Sequence, residues 1–147
     1  MADALWEHGV GVVFPEIVGD SGFKEIGETL ALIESLNPQW VVPGHGRVFS
    51  DVQGALVRAR ERLALFQAQP IKHASHAAKV LMKFKLLELQ RISVPDFNRW
   101  SASSAYLREL HAKHFLNEGF TDWIARLLDD LGRSKALQRM GDELINC

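Results

Sequence analysis

The run Val41-Val42-Pro43-Gly44-His45-Gly46 carries the most pointed chemistry in this chain. A histidine held between two glycines, just past a β-branched pair and a proline, presents its imidazole on a tight loop. An imidazole placed so can ligate a metal or act as a general base. The alternative is a surface-turn histidine. Two more pairs, His73/His76 and His111/His114, stand three residues apart on expected helices. That spacing can put two imidazoles on one face. No cysteine or acidic cluster accompanies either pair, so solvent-facing or cap-side histidine is the simpler reading. Lys72, Lys79, Lys83 and Lys85 are read as a solvated helix face rather than a phosphate-binding stripe. Trp100, Tyr106, Phe115, Phe120 and Trp123 are read as core packing.

The elements that must position His45 follow from periodicity. Trp40-Val41-Val42 reads as a short buried strand that Pro43 stops. Before it, Ser21 is placed to cap a helix with Phe23, Ile26, Leu30, Ile33 and Leu36 on one stripe, ended by Asn37-Pro38. Val10 to Phe14 is at best extended. After the loop, Ser50 and Gln53 form a capping-box pattern opening a helix to about Gln69, with Val52, Leu56, Leu63 and Phe66 buried. Strand–helix alternation of this kind predicts an α/β layer.

Beyond Pro70 the pattern changes. A helix is expected over 71–90 with Ala77, Leu81, Phe84 and Leu87 inward, and a short one from Ser93-Val94-Pro95-Asp96 to Trp100. Others are expected over Ser104–Leu116 and from Thr121 as cap to Leu131, with Gly132 past the end. Leu137–Met140 and Glu143–Ile145 around Gly141-Asp142 predict a hairpin. Helices followed by a hairpin suggest a winged-helix-like domain.

Composition narrows the classes. The 147 residues suit one ordinary domain or two small ones. Net charge is −1, split as −4 over residues 1–70 and +3 over 71–147, which places a boundary near Pro70 and gives no strong field toward nucleic acid. Cys147 is the only cysteine, so a disulfide framework and a cysteine zinc site are excluded. No apolar run is long enough for a membrane span, and the first residues lack a secretory pattern, so a cytoplasmic location is expected.

The residues around His45 resemble the C-terminal half of the metallo-β-lactamase superfamily. Hydrolases of that family carry a Pro-Gly-His-Gly loop after a late strand, and its histidine binds the second metal. An aspartate well upstream bridges the two metals. Asp3, in Asp3-Ala4-Leu5-Trp6-Glu7-His8-Gly9, precedes His45 by 42 positions and resembles that aspartate, although Ala2 stands where the family has glycine. The resemblance implies zinc, with Asp3 and His45 as ligands and Pro43, Gly44 and Gly46 shaping the loop. Glu7, His8 and Glu16 would then rim the pocket. It also implies half of an αββα sandwich over residues 1–70, followed over 71–147 by the helical, winged-helix-like domain that some subfamilies append.

The family's His-x-His-x-Asp-His signature, source of most metal ligands, is absent from these 147 residues. Zinc needs about three or four converging donors, so the two candidates in this chain are an incomplete set. Stoichiometric zinc on this chain alone is not expected. Two readings stay open. One is the C-terminal portion of a zinc-dependent hydrolase, not competent alone. The other is a truncated, non-catalytic protein for assembly or partner binding, with DNA binding through the tail disfavoured by its small charge. Half a sandwich would expose sheet edge and apolar face. The expected partners are therefore a second copy or a complementary N-terminal half, with neither membrane nor nucleic acid.

Overall fold

A computed structural model describes residues 4–11 and 22–147. The chain divides into two units, Met1–His73 and Ala74–Cys147. Among the described residues there are six helices and a three-stranded antiparallel sheet.

In the first unit, α1 (Gly22–Leu36) turns Leu30 fully inward, with Phe23, Ile26 and Ile33 packed beside it. Asn37, in the left-handed region at φ 44°, follows the helix end ahead of Pro38. The α2 helix (Val52–Ala68) lays Val52, Ala55, Leu56, Ala59 and Leu63 against Leu30. Its cap is Asp51 rather than the expected Ser50: the Gly54 N–H donates to the Asp51 carboxylate at 3.1 Å. A carboxylate offers a stronger acceptor than a hydroxyl beside the partial positive charge of a helix start. Leu5, Val10 and Phe49 complete this core. Arg60 grips Glu34 through Nη1 and Nη2, which donate to its two carboxylate oxygens at 3.0 and 2.6 Å, fixing α1 to α2.

This unit corrects the expected α/β half-sandwich. Its described residues form no sheet, only the isolated bridges Trp6–Gly9 and Val41–Phe49. The expected buried strand shrinks to Val41, while Trp40 and Val42 are 64% and 77% exposed. A β-branched run is buried only when other elements cover it. Here Val41 bonds to Phe49, and its two neighbours face outward. Ser21 and most of Val10–Phe14 lie outside the described residues.

The α3 helix (Pro70–Leu89) begins at Pro70, where a missing N–H is tolerated. In the second unit it turns Ala74, Ala77, Ala78, Met82 and Leu86 inward. Phe84 and Leu87, expected inside, are exposed. The packed stripe runs through 74, 78, 82 and 86 at a constant spacing of four, so two alanines, Met82 and Leu86 are inside and Phe84 and Leu87 are not. Then come β1 (Arg91–Ser93), α4 (Val94–Ser103), α5 (Ala105–His114), α6 (Phe120–Arg133), β2 (Leu137–Met140) and β3 (Glu143–Asn146). Ser93 caps α4 where a helix start was expected, and Ser104, expected as the first residue of its helix, is instead the cap of α5. Gly119, not Thr121, precedes α6, so the helix starts at Phe120, two residues sooner than expected, and no side chain bonds to its cap; its buried face is Trp123, Ile124 and Leu127.

The hairpin expected over 137–145 is present, with Met140 opposite Glu143. It does not stand free as a wing. β3 lies between β2 and β1, and Lys83 Nζ donates to Ala136 O and Asn146 Oδ1 at 2.5 Å and to Cys147 O at 2.7 Å. The expected sandwich half plus winged-helix-like domain is thus replaced, among the described residues, by a mostly helical structure with one three-stranded sheet.

Candidate functional site

Two short loops of the first unit make the site. The first is the turn at Trp6–Gly9, closed by Trp6 N–H to Gly9 O at 2.7 Å and Gly9 N–H to Trp6 O at 3.1 Å. Leu5 and Val10, buried at either end, pin it to the core. Gly9 has φ +129°, a region closed to most side chains. Arg58 on α2 holds the tip: its Nε and Nη2 donate to Glu7 O at 2.9 and 2.6 Å, and Nη2 also reaches Asp51 Oδ2 at 3.1 Å.

The second loop is 42–48, closed by the paired hydrogen bonds between Val41 and Phe49 at 2.9 and 3.1 Å. Phe49 is buried, so the loop springs from the same core as the first. Of its two glycines, Gly46 has a positive φ, +102°, and supplies the turn that sequence reasoning assigned to both.

The two loops face each other across a cleft of about 300 Å³ lined by Trp6, Glu7, His8, Pro43, His45, Gly46 and Arg47. The Trp6 and His45 rings meet edge-on, 6.3 Å apart between centroids. The structure thus brings together His45, Pro43, Gly46, Glu7 and His8. Gly44 is in the same loop, and Asp3 and Glu16 lie outside the described residues. Glu7 and His8 are both largely exposed and 3.9 Å apart. Arg47 and Arg58 were missed by sequence reasoning. The only signal was their charge, which does not reveal that one reaches a turn 51 residues away.

Among the described residues no three His, Cys, Asp or Glu side chains converge to hold a metal ion. Zinc held by two donors alone would be labile, so the described donor set does not fit a resident zinc. Two other histidines, His73 and His111, do packing work. His73 is buried, stacked on Phe66 at 4.4 Å and tilted against Phe23 at 5.2 Å. His111 Nε2 lies 2.7 Å from Glu118 O, with its ring against Phe120 and Trp123.

The lysines expected on a solvated face are mostly engaged. Lys79 pairs with Asp130 at 3.6 Å and Lys85 with Glu88 at 2.9 Å, and Lys83 holds β3. No helix among the described residues is long and apolar enough to cross a membrane. Comparisons of the chain with protein-family models, with curated proteins and with solved structures return no match.

Proposed function

We propose that this chain is the C-terminal portion of a zinc-dependent hydrolase related to the metallo-β-lactamase superfamily, supplying one edge of a metal site and inactive by itself. The observation that supports this reading is the meeting of the Trp6–Gly9 turn and the 42–48 loop at one cleft. These are the two segments that the resemblance assigns to a single metal site, and they are separated by more than thirty residues in sequence. His45 is the ligand offered from the second loop, and Asp3 belongs to the segment that leads into the first. The remaining donors come from outside this one chain, from a complementary N-terminal half or a second copy. Exposed Trp40, Val42 and Val48 favour such a partner. A single cysteine, free of any disulfide, suits a cytoplasmic setting.

The test is zinc per chain, measured before and after dialysis, in the wild type and in His45→Ala. The reading expects uptake that depends on His45 and is removed by dialysis. Uptake indifferent to His45 would overturn it.

A further inference from the structure

We propose that the cleft between the Trp6–Gly9 turn and the 42–48 loop binds a small organic anion, a carboxylate or a phosphate monoester, with Arg47 as its main anchor. This rests on reading the cleft as the functional site, but not on zinc. Arg47 makes no hydrogen bond, ion pair or ring contact with any other described residue, and it lines the cleft. Its neighbours on α2 are occupied: Arg58 by Glu7 O and Asp51, Arg60 by Glu34. A guanidinium carries a fixed planar fork of donors matched to the two oxygens of a carboxylate or phosphate.

The rest of the lining suits such a ligand. His8 places another ring nitrogen at the cleft that can donate to an anion, and the His45 ring forms part of the lining. Glu7 is the one carboxylate among the described lining residues, and His8 sits 3.9 Å from it. Trp6 and Pro43 supply carbon surface for an apolar or planar tail. The cleft volume, about 300 Å³, is at the small end of ligand sites, which limits the occupant to a compact molecule. A ligand with an anionic head and a flat carbon body satisfies both halves of this lining.

The test is a titration of the metal-free chain, in chelator, with phenylacetate, phenyl phosphate and the neutral phenylacetamide, followed by amide and indole resonances. The expected result is that one or both anions shift Trp6 and residues 45–47, with phenylacetamide at least tenfold weaker. The two anion arms tell carboxylate from phosphate. Arg47→Ala should weaken the anion at least tenfold, and Arg47→Lys should restore part of it. The Arg47 side chain is exposed and bonds to no described residue, so neither change threatens the fold. Equal binding of the amide, unchanged affinity in Arg47→Ala, shifts confined to other residues, or no shifts at all would overturn the proposal. Because chelator is present throughout, failure here is separate from failure of the zinc reading, which the dialysis experiment decides.

Discussion

The rings of Trp6 and His45 meet edge to face, 6.3 Å between centroids and 62° between planes. One ring stands on a turn pinned by Leu5 and Val10, the other on a loop closed by Val41 and Phe49, and all four anchors belong to one core. The imidazole is therefore positioned from two sides of the sequence. Replacing Trp6 by alanine removes one side. Aromatic pairs of this type contribute about 1 kcal/mol beyond area burial, so Trp6→Ala should lower the first unit's stability by about that much in urea unfolding. His45 ring resonances should move as well. The backbone bridge between Trp6 and Gly9 does not use the indole, so the turn should persist in amide spectra.

The exposed apolar residues around Val41 predict association. Trp40 and Val42 flank the single bridged residue, and their backbone groups make no hydrogen bond with described residues. An open edge with apolar side chains tends to pair with another chain. At tens of micromolar the protein should sediment as more than a monomer, and Trp40→Asp with Val42→Asp should reduce the assembly. A monodisperse wild-type monomer would leave only the complementary half as partner.

In the second unit, Lys83 is the tie between α3 and the end of the sheet. Its ammonium bonds to two backbone carbonyls and the Asn146 side chain. Charge-assisted bonds of this type contribute about 1.5–3 kcal/mol. Lys83→Met should cost an amount in that range and speed hydrogen exchange at residues 144–147. Exchange unchanged there would contradict the tie.

A pH dependence follows from Glu118. The Arg126 guanidinium, bonded to both carboxylate oxygens at 2.8–3.2 Å, holds Glu118 below the ordinary value of 4.5. Arg60 does the same to Glu34. A depressed carboxylate means that the unfolded chain binds protons first as pH falls. The stabilisation is complete above about pH 5 by this linkage and is lost as pH drops through 4.5 toward the folded-state values. Melting temperature should fall over that window, and the fall should be smaller in Arg126→Met, where Glu118 loses its partner.

Much of the helical framework was legible because helix period and caps are local. Leu30 with Ile26 and Ile33, and Ser93 before its helix, follow from spacing and hydrogen-bonding chemistry. Trp40–Val42 was misread because burial of a β-branched run depends on neighbours the run does not encode. Phe84 and Leu87 were misread for a related reason: two apolar stripes wind around α3, and tertiary packing selects the one through Ala78 and Met82. β1 left no signal, since Arg91-Ile92-Ser93 has one apolar residue and becomes a strand only by pairing with β3. At the site, His45 and its loop were legible from glycine and proline chemistry. The roles of Arg47 and Arg58 depend on which distant backbone they approach.

The central claim is that His45 is a metal ligand at the edge of a site completed from outside this chain. Its most direct test is a zinc titration that resolves the rings of all six histidines. The account predicts that His45 responds first, that the response is weak and reversed by dialysis, and that His45→Ala abolishes it. Stoichiometric zinc surviving dialysis, or a response confined to His73, His76, His111 and His114, would contradict it.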